Sequence, residues 1–98
     1  MEFIQVLEIR TSKIDKIQAM EEEYRKATEG KSTVRRSILC RDRNDSNRYV
    51  VIVFFDSPEA AAGNSDLPET AAFANQANAI ADAPLGFQDL DVIEDRTN

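Results

Sequence analysis

Asn64 and Glu69 flank a proline in the middle of the chain and offer the simplest chemistry in the sequence. The Asn64 amide can donate a hydrogen bond to a ligand oxygen or to a developing oxyanion, or it can sit at a helix break because asparagine tolerates turn conformations. The Glu69 carboxylate can orient or deprotonate an acidic phenol at a pocket mouth. It can equally serve only the first turn of a helix, where the macrodipole favours negative charge. Both alternatives stay open for each residue.

Three aromatic side chains complete the set of candidate ligand contacts: Tyr24, Phe54 and Phe73. Large aromatic residues dominate protein cores, and they also line most small-molecule pockets. We therefore retain them as candidate pocket residues beside Asn64 and Glu69, with a purely structural role as the alternative.

The chain has no histidine and no tryptophan, and Cys40 is its single cysteine. The usual acid and base near neutral pH, and the commonest transition-metal ligand, are therefore missing. Cys40 has no histidine to activate it and is predicted to be a small core residue. Glu21-Glu22-Glu23 lacks the spacing of a calcium loop and is predicted to be a solvated helix face. We expect no metal and no cofactor.

Composition limits the partners. A net charge of -6 and a pI near 4.6 argue against nucleic acid, which is bound through clustered basic residues. No segment approaches the roughly 18 apolar residues that a membrane span needs. One cysteine and the absence of a signal-peptide pattern favour the cytoplasm. The length of 98 residues fits one domain over 1–98.

The apolar pattern predicts four strands, at residues 2–10, 33–42, 49–55 and 87–94. Between the first two, apolar residues recur every three or four positions over 14–27, which indicates an amphipathic helix. Thr11 or Ser12 is predicted to cap this helix, and Gly30 to end it in the left-handed conformation.

A second helical segment precedes the last strand. Ser57 and Pro58 have the preferred residue types for a helix start, Gly63-Asn64-Ser65 is predicted to interrupt that helix, and Pro68 to restart it. The order is therefore βαββαβ. Right-handed crossovers then give a ferredoxin-like four-stranded antiparallel sheet of order 4-1-3-2, with the helices on one face.

The segment Tyr49–Phe55 is apolar at every position, unlike a strand with one wet face, which alternates. The predicted helices suffice to cover one face of the sheet. The exposed apolar side chains on the other face would favour association, so we expect a homodimer that packs sheet against sheet.

The segment from Glu59 to Phe73 resembles the antibiotic-biosynthesis monooxygenase (ABM) family of the dimeric α+β barrel superfamily. Many relatives carry there a stretch of the form E-A…H-x-x-S-P-H-F…F. Pro68 and Phe73 match it, and Asn64 and Glu69 stand where the two histidines would be. Element order and lengths extend the resemblance over most of the chain.

The resemblance implies a dimeric α+β barrel with an apolar cleft between sheet and helices. Haem-degrading relatives use a histidine and a tryptophan, so that activity is not expected. Cofactor-free relatives often use an asparagine, and Asn64, Asn75 and Asn78 are available.

We expect a homodimer that binds a small aromatic compound, and oxidation of this compound without a cofactor is the activity that the resemblance implies. The alternative is a catalytically inert dimeric binding or structural module. A cavity of about 300 Å³ or more near Asn64 and Phe73 would favour the first, and a closed core the second.

Overall fold

The computed structural model describes residues 2–98. Its elements follow the order β1 (Phe3–Arg10), α1 (Ile14–Ala27), β2 (Arg36–Asp42), β3 (Asp45–Phe55), α2 (Pro58–Ser65), α3 (Pro68–Ile80) and β4 (Gly86–Asp91). The strands form one antiparallel sheet in the order β2-β3-β1-β4, which is the predicted 4-1-3-2 counted from the other edge. The ferredoxin-like topology predicted from the sequence is confirmed.

The break between α2 and α3 differs from the prediction. Gly63-Asn64-Ser65 does not interrupt α2, which continues to Ser65. Pro68 sets the break, because the residue before a proline is excluded from helical backbone, and Leu67 is extended with ψ of 134°. The predicted start is confirmed, since the Ser57 hydroxyl accepts a hydrogen bond from the Ala60 N–H at 3.1 Å.

The start of α1 also differs. Lys13, and neither Thr11 nor Ser12, occupies the cap position, and its side chain makes no capping hydrogen bond. Thr11 is fully buried, and its hydroxyl accepts from the Lys13 N–H at 3.0 Å and donates to the Ile80 carbonyl at 3.1 Å. The threonine thus ties the end of β1 to the end of α3. Past the other end of α1, Gly30 adopts the predicted left-handed backbone, with φ of 81°.

Both edge strands are shorter than predicted. β4 ends at Asp91, opposite Phe3, the first residue of β1. Before β2, the Ser32 hydroxyl donates to the Asn64 side chain and the Thr33 hydroxyl to the Ala60 carbonyl. The chain ahead of β2 is therefore fastened to α2 before it enters the sheet.

The core lies between one face of the sheet and the helices. Ile9 of β1, Ile17 of α1, Val51 of β3 and Ala77 of α3 form one buried cluster. Two helices on opposite sides of the sheet could not both contribute to this cluster, so α1 and α3 lie on the same face.

The opposite face of the sheet is uncovered in the single chain and largely apolar, although it also carries Glu8, Arg36, Arg48 and Gln88. We call it the open face; its apolar residues are Ile4, Val6, Ile38, Cys40, Val50, Ile52, Phe54 and Leu90, which the register places side by side. None of these side chains is fully buried, and Leu90 is 46% exposed. Cys40, predicted to be a core residue, is exposed.

Candidate functional site

A cavity of about 470 Å³ lies between the helix-covered face of the sheet and the helices. β1 and β3 supply its apolar floor through Leu7, Val51, Val53 and Phe55, because alternate residues of neighbouring strands point to one face. Phe73 of α3 closes part of the opposite wall. The volume exceeds the value of about 300 Å³ that separates the two interpretations of the sequence, and it favours a ligand-binding role.

Four polar side chains meet at one end of this cavity. The hydroxyl–amide network, as we call it, joins Tyr24 of α1, Ser32 ahead of β2, Asn64 of α2 and Thr70 of α3. All four residues line the cavity, and Asn64 is only 6% exposed. Side chains from three other segments of the chain thus converge on the buried Asn64.

The hydrogen-bond directions within the network follow from its geometry. The Thr70 hydroxyl donates to the backbone carbonyl of Asn64 at 2.7 Å. Its hydrogen is therefore used, and the Tyr24 hydroxyl must donate to Thr70 Oγ1, at 2.8 Å. The Tyr24 oxygen accepts from Asn64 Nδ2 at 3.0 Å, and Asn64 Oδ1 accepts from Ser32 at 3.1 Å. All three hydroxyl hydrogens are committed. One of the two N–H groups of Nδ2 has no partner among residues 2–98, and it is the donor that the network can offer a ligand.

Phe73 and Tyr24 stand beside this donor. Their ring centroids are 5.5 Å apart and the rings are inclined by 51°. This tilted arrangement is one that aromatic pairs favour, and both side chains line the cavity. The structure therefore brings together three of the five candidate residues: Asn64, Tyr24 and Phe73.

Glu69 lies outside the cavity. It lines a smaller groove of about 180 Å³ between α1 and α3, which also contacts Tyr24 and Phe73. Its Oε2 accepts a hydrogen bond from the Lys31 ammonium, while Oε1 is buried without a partner in residues 2–98. The hydrogen bond from Lys31 lowers the pKa of the Glu69 carboxyl below its ordinary value. A carboxylate whose charge is already compensated is a weaker base, so the geometry does not favour Glu69 as a proton acceptor.

Phe54 also lies apart from the cavity. It alternates with Val53 and Phe55 along β3 and therefore belongs to the open face. The Arg36 guanidinium sits 5.5 Å from the centre of its ring, within cation–π range. Among the described residues its neighbours are thus those of the open face, and it does not line the cavity with the other candidates.

The cavity is lined by two glutamates that the sequence analysis missed, Glu21 and the exposed Glu29. Glu21 was predicted to be solvated with Glu22 and Glu23, but it is half-buried and lines the cavity. Burial raises the pKa of the Glu21 carboxyl above its ordinary value, against the opposing charge of Arg25. The available signal was its spacing, four residues after Ile17 and three before Tyr24, on the buried side of α1.

No known family model and no curated protein matches this sequence. Solved structures do match over nearly the whole chain. Rv0793 from Mycobacterium tuberculosis superposes with a TM-score of 0.80 at 11% identity, covering 99% of this chain and 100% of that one. SnoaB, a cofactor-independent oxygenase from Streptomyces nogalater, superposes in a mutant form with a TM-score of 0.81 at 15% identity, covering 96% and 95%. A candidate antibiotic biosynthesis monooxygenase from Caulobacter crescentus gives 0.80 at 12% identity, covering 95% and 91%.

The chain has the fold of the antibiotic-biosynthesis monooxygenases. At these identities the shared property is the ABM-like path of the backbone, which confirms the resemblance noted in the sequence. Within residues 2–98, no helix has both the length and the apolar character that crossing a bilayer requires. The same residues gather no set of three or more acidic or thiol side chains suited to a metal ion.

Proposed function

We propose that this protein is an ABM-like homodimer that binds a small aromatic compound in the sheet–helix cavity and oxidises it without a cofactor. The observation that carries the proposal is the cavity itself. About 470 Å³ falls within the range of about 300 to 1,000 Å³ that small-molecule pockets occupy. Its floor is apolar, and the hydroxyl–amide network in its wall includes the side-chain amide of Asn64.

The cavity suits a flat, partly polar ligand. Phe73 and Tyr24 supply aromatic surface on which a ring can pack edge to face or offset. The Asn64 N–H can hold an oxygen of the ligand, and the surrounding hydrogen bonds fix the orientation of the amide. A donor whose orientation is fixed stabilises a developing oxyanion better than a mobile one.

The oxidation half of the proposal rests on electron balance. Without a metal or flavin, O₂ must take its electrons from the substrate, which favours a compound that ionises to an electron-rich anion. A hydroquinone meets this condition: it loses two electrons and two protons, and O₂ gains them, to give a quinone and hydrogen peroxide. SnoaB, a cofactor-independent oxygenase with the same fold, supports reaction with O₂ without a cofactor, although oxygen insertion and the peroxide-forming reaction of a hydroquinone are different outcomes.

The homodimer half of the proposal rests on the open face. A fully buried Val, Ile, Leu or Phe side chain contributes about 1.5–3 kcal/mol, and association costs about 4–15 kcal/mol. Several such side chains on the central strands β1 and β3 can outweigh that cost when a second copy covers them. A second sheet of the same composition is the complementary partner.

Oxygen consumption with a panel of hydroquinones tests the enzymatic proposal. We expect uptake above the spontaneous rate, and a loss of roughly 100-fold in Asn64→Ala because an oxyanion donor is removed. Cys40→Ser, on the opposite face of the sheet, is the control and should keep the activity. Uptake at the spontaneous rate across the panel, in a protein that still binds the compounds, would favour the inert binding module instead.

A further inference from the structure

Glu21 occupies the middle of the buried side of α1. Ile17 and Thr28, four residues before it and seven after, are 0% and 2% exposed, and Tyr24 lies one turn along the same side. Glu22 and Glu23 point to the solvent. Three consecutive glutamates therefore divide between two environments, and only Glu21 lines the cavity.

Within residues 2–98, the Glu21 carboxylate makes no ion pair and accepts no hydrogen bond from another side chain. Arg25, one turn further along α1, pairs with Glu22 at 3.7 Å instead. Glu69, by comparison, is bound by Lys31, and its pKa is lowered, whereas burial raises the pKa of Glu21. Two carboxylates near one pocket whose pKa values move in opposite directions have different proton affinities, and the one with the raised pKa is the better base.

We propose that Glu21 accepts the proton of a hydroxyl on the bound aromatic compound, while the Asn64 amide holds a second ligand oxygen. The step is a simple transfer: the ligand O–H bond breaks, the proton moves to a Glu21 oxygen, and the ligand becomes a phenolate. No electron is exchanged in this step. The inference rests on the proposed function, because it presumes that the cavity takes an aromatic ligand.

The charged groups around the cavity agree with such a step. Besides Glu21, the titratable residues that line it are Tyr24 and Arg25 of α1, Glu29 after the end of α1, Arg35 just ahead of β2, and Arg36 of β2, whose guanidinium lies over the Phe54 ring on the open face. The other contacting elements, α2, α3, β1, β3 and β4, contribute none. Arg25 is the nearest cation in sequence, and a positive charge stabilises a phenolate that forms beside it.

This placement selects one class of ligand. A phenol or enol that arrives neutral can donate its hydroxyl hydrogen to the carboxylate, and a charge-assisted hydrogen bond of this kind is stronger than a neutral one. An O-methyl ether has no hydrogen to donate. A ligand that already carries a carboxylate in the same position meets like charge and must desolvate it. We therefore infer that the natural compound is a neutral, acidic phenol or enol.

Three probes that share a para-nitrophenyl ring and differ in one substituent test the inference: para-nitrophenol, para-nitroanisole and para-nitrobenzoate. We expect Glu21→Gln to weaken binding of para-nitrophenol about tenfold, equivalent to about 1.4 kcal/mol, in slightly acidic buffer where the free phenol is neutral. Its affinity for para-nitroanisole should not change, and para-nitrobenzoate should bind weakly to the wild type. Glu22→Gln, a neighbour on the wet side of α1, is the matched control and should behave as the wild type.

Absorption spectra separate proton acceptance from a structural role. Bound para-nitrophenol should show the phenolate-like band in the wild type and the band of the neutral phenol in Glu21→Gln. Equal loss of phenol and ether affinity in Glu21→Gln, or an unchanged phenol affinity, overturns the role of Glu21 and leaves aromatic binding intact. If neither para-nitrophenol nor para-nitroanisole binds the wild type, the proposal of aromatic binding is wrong, and the role of Glu21 is wrong with it.

Discussion

The side-chain amide of Asn64 donates a hydrogen bond to the hydroxyl of Tyr24 at 3.0 Å, across 40 positions of sequence. The contact joins the last turn of α2 to the third turn of α1. Since the Tyr24 hydroxyl passes the interaction on to Thr70 at the start of α3, one tyrosine connects three helices. The same hydrogen bonds hold the amide that we propose for ligand binding, so stability and function depend on one set of contacts.

Asn64→Ala should destabilise the protein by about 1–3 kcal/mol, because the part-buried Ser32 hydroxyl loses its acceptor and the part-buried Tyr24 hydroxyl loses its donor. Urea unfolding at fixed protein concentration measures the change. Asn75→Ala, an exposed position of α3, is the control and should stay within about 0.5 kcal/mol of the wild type. Equal effects at the two positions would show that the network contributes nothing to stability.

Tyr24→Phe should also lower the free energy of unfolding. Its effect and that of Asn64→Ala should not be additive. Removing the hydroxyl breaks the bonds to Asn64 and Thr70, so a second substitution at Asn64 has less left to remove. A double-mutant cycle of the two substitutions should give a coupling energy of at least about 0.5 kcal/mol, as is usual for residues in direct contact. Strict additivity in the cycle would mean that the two side chains act independently.

Acid should lower the stability of the folded protein in part by protonating the Asp42 carboxylate. The backbone N–H of Asn44, and then the guanidinium of Arg48 at 3.0 Å, hold the pKa of this carboxyl below its ordinary value. A depressed pKa in the folded state contributes stability above the unfolded pKa and loses it as the pH falls through the folded one. The loss of stability on acidification below about pH 4 should therefore be smaller in Asp42→Asn than in the wild type.

The measurement is the urea midpoint across an acid series, with Asp91→Asn at the exposed end of β4 as the control. Asp91→Asn should follow the wild-type curve. A parallel shift of the Asp42→Asn curve at every pH, with no change of slope, would contradict the assignment.

Glu21 should have the opposite pH dependence. Its pKa is raised by burial, so the folded state holds its proton to higher pH than the unfolded chain does, and the stability it contributes is lost as the pH rises. Glu21→Gln removes the buried charge and should be more stable than the wild type near neutral pH. The difference should vanish below the ordinary carboxyl pKa of about 4.3. Thermal unfolding of both proteins near neutral pH and below the ordinary carboxyl pKa measures this difference in stability. A difference in stability that is the same at both pH values would exclude a raised pKa of Glu21.

The sequence predicted the sheet because two of its signals agree. β3 is apolar at successive positions, and the crossover rule places β1 and β3 in the centre, where strands are covered most. The helix ends were less predictable. Thr11 has the residue type of a cap, but its hydroxyl is drawn to the Ile80 carbonyl, a partner 69 positions away that no local pattern reveals.

The candidate site could be predicted only in part, for a similar reason. Asn64, Tyr24 and Phe73 were candidates by residue type, and the structure brings them together at the cavity. Glu21 was missed because three adjacent glutamates suggest one wet face, although a helix turns each residue by about 100° from the last. Whether a side chain lies in the cavity or on the open face depends on strand register, which residue type alone does not fix.

The open face supplies the sharpest test of the homodimer. Ile52 lies on β3, between Val6 of β1 and Ile38 of β2, in the middle of this face. Ile52→Lys places a charge in the proposed interface without entering the core, since burying an unpaired ammonium is costly. We expect the wild type to sediment as a dimer of the 11.0 kDa chain and Ile52→Lys as a monomer. Ala71→Lys, an exposed position of α3, should remain a dimer.

The thiol of Cys40 gives a second, independent measure of the same interface. It lies on the open face opposite Val50 and is exposed in the single chain, so a covering partner should slow its reaction with a thiol reagent. We expect labelling to be slow in the wild type and fast in Ile52→Lys, with Ala71→Lys as slow as the wild type. Rapid labelling of a wild type that sediments as a dimer would place the interface elsewhere, because a dimer packed sheet against sheet must shield this sulfur.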